Sequence, residues 1–201
     1  MGGAVPGKSQ ARSSRRGYRE NTSHDFQYTD TLLETITSDP GFRNGFYDFN
    51  EEVREGLARH AKIWAVMDFS TEFFKQEHWR TLSFTSLEDF QIGFMEAYFD
   101  PTDPNDLLCM AWKWQRGDVS RHTGGDLAAA LGRIQAKAFV MPIDEDMFFP
   151  VRNCKAEQEM ILNSELRVVE SISGHLGLFN LEPSYIEQVD QHLGDLLDSP
   201  A

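Results

Sequence analysis

Two short β-rich runs separated by a helical one constrain this chain more than any other feature. "AKAFVMPI" and "ELRVVESI" are compact apolar segments of strand length, and Val168 and Val169 favour extended backbone in the second. The intervening "VRNCKAEQEMIL" is helical. "EPSYIEQVDQHLGDLL" follows as an amphipathic helix with Tyr185, Ile186, Val189, Leu193, Leu196 and Leu197 on its apolar side. Strand, helix, strand, helix is the order of two parallel strands joined by a right-handed crossover. Two parallel strands alone make no stable sheet, because parallel sheets are buried on both faces. The sequence therefore predicts the later portion of a larger α/β fold, or a sheet completed by strands from another chain.

Everything upstream reads as helix. "YTDTLLETITSDPGF" forms a short helix that stops before Pro40. "NEEVREGLARHAKIWAVMDFS" places Val53, Leu57, Ala61 and Trp64 at helical spacing. Ser70 is an N-cap candidate for "STEFFKQEHW", and Ser86 with Asp89 stand in capping-box register. Asp103 precedes Pro104 as N-cap and first helical residue. "GGDLAAALGRI" is a short helix after a glycine turn. Residues 1–22 are rich in Gly, Ser and Arg, lack an apolar period and read as disordered. The chain divides into that segment, a helical region at 23–125 and the strand–helix segment at 126–201.

Charge narrows the partners. With 19 Lys and Arg against 32 Asp and Glu, the formal net charge is −13. Nucleic acid and anionic membrane surfaces would both repel such a chain, although Arg12, Arg15, Arg16 and Arg19 cluster near the start. No run approaches the roughly 18 apolar residues of a membrane span, and no apolar signal segment opens the sequence. Only Cys109 and Cys154 are present. Two cysteines make a disulfide framework an unnatural reading and a reducing, cytoplasmic setting the simplest.

Two motifs near the start carry little. Gly2, Gly7, Lys8 and Ser9 satisfy the phosphate-loop pattern, but that loop needs a strand before it and a helix after it. Ser9 loosely mimics a nucleophile elbow, again without the strand-to-helix turn.

The strand ends carry more. Asp146 lies three residues beyond Ile143, and His175 three residues beyond Ile172. Both fall at the carboxyl ends of neighbouring parallel strands, where open α/β sheets place their sites. An acid followed by a histidine can hold an imidazole as general base. The bland alternatives are that Asp146 caps a turn and His175 is a surface-loop histidine. Cys109, inside apolar "LLCMAW", reads as a buried thiol, and Cys154 has no neighbouring base. His24, His60, His78, His122 and His192 lack tight metal-ligand spacing, so no metal is expected. Phe73, Phe74, Trp79, Phe90, Phe94 and Tyr98 read as core, with an acyl pocket as the alternative. Arg116, Asp118, Arg121 and His122 in "RGDVSRHTGG" stand as a candidate pocket rim.

"AEQEMI", "DEDMFFP" and "GHLGLF", preceded by "TSHDF", "SDPGFRNGFY" and "GLARHAKIWA", resemble the homoserine O-acetyltransferase-like branch of the α/β-hydrolase superfamily over about residues 22–198. The resemblance implies a helical cap at 23–125 and the C-terminal part of an α/β-hydrolase fold at 126–201. It implies an acyltransferase or esterase with Asp146 as triad acid and His175 as triad base. Acyl-CoA is then a candidate co-substrate, with small-molecule acyl donors and acceptors as partners and a homodimer through cap helices. The family's serine lies on an elbow well before the cap, and no such segment stands in this sequence. A truncated or misread product, or one half of a split enzyme, is the expectation. Family members that acylate homoserine usually carry Asp directly after the histidine. Leu176 stands there, which points to another acceptor or to ester hydrolysis. The contrasting expectation is a non-catalytic interaction or dimerisation module.

Overall fold

The computed structural model describes residues 22–199. The phosphate-loop match and Ser9 lie outside them. The helical layer opens with α1 (Ser23–Thr37), which begins earlier than its apolar period because Thr22 and Asp25 form a reciprocal capping box. Helix α2 (Arg54–Asp68) follows two 3₁₀ turns and presents Leu57, Ala61 and Ala65 to the interior. Ser70 caps α3 (Thr71–Lys75), and Ser86 caps α4 (Leu87–Phe90). The capping box expected there is only half made, because the Asp89 carboxylate accepts from Thr85 instead. A π-helical stretch over Gln91–Glu96 runs into α5 (Ala97–Phe99). Asp103 and Pro104 open α6 (Pro104–Gln115) as their order requires.

Helix α7 (Leu127–Leu131) leads to β1 (Ala138–Val140), α8 (Val151–Gln158), β2 (Ser164–Leu166) and α9 (Pro183–Leu197). The two strands pair in parallel, Ala138 with Ser164, Phe139 with Glu165 and Val140 with Leu166. Both are shorter than their apolar runs. Pro142 has no N–H to continue the ladder, so pairing resumes only at the isolated bridge between Ile143 and Val169.

The main core belongs to the helical layer. Phe69, Phe73, Phe90 and Leu57 are buried there, and among the described residues Leu176 is the one buried residue from beyond β2 that joins them. A second cluster of Tyr28, Leu32 and Phe148 ties α1 to the turn after β1. By contrast, neither α8 nor α9 buries a residue among the described ones. Leu197, on the apolar side of α9, is 84% exposed. Cys109 is also exposed, contrary to the sequence reading. The inward positions of α6 are Leu107, Ala111 and Gln115, and Cys109 falls on another face despite its apolar neighbours. No described helix is long and apolar enough to cross a membrane.

Candidate active site

Asp146 sits in the turn that leaves Ile143, and it both caps that turn and reaches beyond it. Its Oδ1 accepts the N–H groups of Phe148 at 2.7 Å and Phe149 at 3.0 Å. Its Oδ2 faces His175 Nδ1 at 2.8 Å. The turn-capping role and the contact with His175 thus use different oxygens of one buried carboxylate. Phe148 meets the imidazole edge-on at 4.9 Å between centroids, and Phe149 lies at 5.6 Å. With Nδ1–H donated to Asp146, Nε2 is the nitrogen left with a free lone pair.

His175 is the second residue of a 3₁₀ turn over Gly174–Phe179, and the chain before it is fixed from three sides. Ser70 Oγ donates to the Ile172 carbonyl at 2.5 Å. The Glu182 carboxylate accepts Ser171 Oγ at 2.8 Å and Ser173 N–H at 2.9 Å. Burial alone would raise the Glu182 pKa, but these hydrogen bonds outweigh it and hold the group below its ordinary value. Asp144 Oδ1 accepts Ser171 N–H at 3.0 Å, tying the two strand ends together. Gly174 has φ +60°, and a Cβ there would lie 2.8 Å from Ser70 N and 3.1 Å from the Asp68 carbonyl oxygen. Only glycine can let the histidine loop press so closely on the end of α2.

His175 opens into a cavity of about 440 Å³ between the helical layer and the histidine turn. Its wall is mostly aromatic and aliphatic, with Trp64, Phe94, Tyr98, Phe99, Trp114 and Phe179 prominent. The aromatic residues singled out from sequence therefore divide. Phe73, Trp79 and Phe90 are buried core, Phe74 packs against that core, and Phe94 and Tyr98 reach the cavity. The candidate rim does not form: Arg116, Asp118, Arg121 and His122 line no part of this cavity. Arg116 stacks on Trp112 at 4.3 Å, and Asp118 caps the next 3₁₀ turn. Among the described residues, no three His, Cys, Asp or Glu side chains converge as a metal ion would require.

Two ionisable residues in the cavity wall escaped the sequence reading as site features. His60 receives the Trp64 indole N–H on Nε2 at 2.8 Å and places Nδ1 3.3 Å from the Leu32 carbonyl. Burial pushes its pKa down to about 4 despite that carbonyl contact, so it is neutral near pH 7. Asp68 is 4% exposed, and its Oδ1 has no hydrogen-bond partner. Burial pushes its pKa up to about 7; His175 opposes that rise and Asp146 adds to it. The sequence held a signal for Asp68. It continues the Leu57–Ala61–Ala65 stripe, where an acid stands in line with inward-facing residues.

A parallel strand pair ending in an acid and then a histidine, beneath a helical layer, is part of an α/β-hydrolase fold. In sequence the chain is 60% identical over 183 residues to a probable esterase of Corynebacterium glutamicum, covering 91% of this chain and 52% of that protein. It is 56% identical over 185 residues to an ethyl acetate hydrolase of Pseudomonas veronii, covering 92% and 53%. The solved acetylester hydrolase from Corynebacterium glutamicum matches with a TM-score of 0.87 at 60% identity, over 89% of this chain and 51% of that one. The homoserine branch is more distant. A homoserine O-acetyltransferase from Bacillus anthracis shares the fold at a TM-score of 0.71 but only 20% identity, over 87% and 49% of the two chains. The chain spans about half the length of the curated relatives it matches. No protein-family model matches it.

Proposed function

We propose that this chain carries the base and the acid of a serine esterase acting on small, uncharged carboxylic esters. The observation that carries the reading is His175 Nδ1 held 2.8 Å from Asp146 Oδ2, on an imidazole that opens into an apolar cavity. In the reaction, a serine hydroxyl gives its proton to His175 Nε2 as it attacks the ester carbonyl. His175 then returns that proton to the departing alkoxide, and an acyl-serine remains. Water repeats the cycle and releases the acid. Asp146 fixes the ring's orientation and tautomer and stabilises the imidazolium throughout. The serine and the oxyanion donors come from polypeptide beyond the described residues.

The cavity favours hydrolysis over acyl transfer to an amino acid. Leu176, beside the base, offers no carboxylate to an ammonium group. Among the described residues no Lys or Arg lines the cavity to meet the phosphates of acyl-CoA or a charged acyl chain. The relatives at 60% and 56% identity are named as esterases, one of them for ethyl acetate.

The test is complementation. The purified chain alone should not hydrolyse 4-nitrophenyl acetate, and addition of a segment carrying the preceding strands and a G-x-S-x-G elbow should restore turnover. His175→Ala should abolish the restored rate, and Asp146→Asn should lower it by roughly 10⁴-fold. A restored rate indifferent to His175→Ala would overturn the assignment. A segment that binds without turnover would favour the interaction module.

A further inference from the structure

We propose that Asp68 is a second carboxylate for His175, a positioning residue that acts on the imidazole from the helical layer while Asp146 acts from the strand side. The proposal rests on the reading of His175 as general base. A buried carboxyl is ordinarily hydrogen-bonded or paired, because burial strips it of water. Asp68 departs from that rule, since its Oδ1 is sealed from solvent and has no hydrogen-bond partner. It stands in the wall of the cavity that His175 also lines. Backbone packing brings their segments together: Gly174, directly before His175, packs against the Asp68 main-chain carbonyl oxygen so tightly that no side chain fits between.

The surroundings leave His175 as the group that can offset the Asp68 charge. Tyr28, from α1, is a neutral phenol whose own ionisation Asp68 disfavours. His60, on α2 itself, is neutral, with both ring nitrogens facing partners. Tyr98, from α5, supplies no positive charge to the cavity wall. Asp146 repels Asp68, and His175 attracts it. An ionised Asp68 therefore favours the imidazolium that forms when the serine proton reaches Nε2. It takes no proton from substrate and touches no reacting atom.

Carboxyl ¹³C NMR titration of Asp68 in the purified chain tests this without turnover. The wild-type Asp68 signal should titrate near pH 7. Replacing His175 with Gln should move its midpoint upward, and Asp146→Asn should move it downward. An Asp68 midpoint indifferent to His175→Gln would reduce Asp68 to a buried structural acid and overturn the proposal. In the serine-complemented enzyme, Asp68→Asn should lower kcat above pH 7, where Asp68 is ionised, and leave it near wild type at pH 6, with KM unchanged. A raised KM with an unmoved pH profile would also overturn it. Failure of the esterase reading would show differently, as a complemented rate that ignores His175→Ala.

Discussion

Ser70 Oγ donates to the carbonyl of Ile172, 102 residues further along the chain, while it accepts the Phe73 N–H at 3.0 Å. One buried hydroxyl thus caps α3 and anchors the loop that carries His175. Ser70→Ala removes the cap and leaves the Ile172 carbonyl without this donor. A lost cap typically costs about 1 kcal/mol, and a buried polar group left unpaired about 1–3 kcal/mol. The variant should lose roughly 2–4 kcal/mol of stability in urea unfolding. An unchanged midpoint would show that solvent or backbone adjustment replaces both bonds.

Gly174→Ala should be worse than its φ value alone dictates. Gly124 provides the comparison: its φ is +67°, and a Cβ there would meet nothing within 4 Å. Placing alanine in left-handed backbone costs about 1–2 kcal/mol. At Gly174 the added methyl also meets two backbone atoms of the α2–α3 junction, which cannot swing aside as a side chain would. Paired urea titrations should therefore rank Gly174→Ala below Gly124→Ala. The complemented esterase should lose activity only in the Gly174 variant. Equal stability losses would mean that the histidine loop yields freely.

The two thiols should react at different rates. Cys109 is exposed on α6. Cys154 is half-buried, and burial together with the charges of Glu157 and Asp146 raises its thiol pKa, so less thiolate is present. An aromatic disulfide reagent should modify Cys109 in a fast phase and Cys154 in a slow one. Cys109→Ser should abolish the fast phase alone. Loss of the slow phase instead would reverse the assignment.

The parallel pairing of β1 and β2 was readable because strand-length apolar runs on either side of a helix leave few other arrangements. The meeting of Asp146 with His175 was readable because the turns that carry them leave the paired residues Ile143 and Val169 on the same side of the strand pair. What escaped depends on which face a residue occupies. Cys109 has apolar neighbours in sequence yet lies off the buried stripe of α6. Asp68 is acidic in sequence yet lies on the buried stripe of α2. The π-helical stretch over Gln91–Glu96 escaped as well, since a widened turn changes hydrogen-bond register without demanding a particular residue. Helix α9 is amphipathic as read, but its apolar side is only partly covered: Tyr185, Val189 and Leu196 are half-buried, Ile186, Leu193 and Leu197 are exposed, and none of its described residues is fully buried.

Asp68 and His60 should impose opposite pH slopes on stability between pH 5 and 6.5. Asp68 has a folded value raised to about 7 from an ordinary 3.8. Across this range the native state keeps a proton that the unfolded chain has lost, so Asp68 makes stability fall as pH rises. His60 has a folded value lowered to about 4 from 6.5. Here the unfolded chain binds the extra proton, so His60 makes stability rise with pH. Each effect amounts to about 1–2 kcal/mol over the range, and the two largely cancel. Urea unfolding at pH 5 and pH 6.5 should show Asp68→Asn gaining stability with pH and His60→Gln losing it, relative to wild type. The His60→Gln difference reports His60, and the Asp68→Asn difference reports Asp68 together with the imidazole it faces. Parallel pH dependence in wild type and Asp68→Asn would mean that Asp68 is already ionised in the folded chain throughout this range.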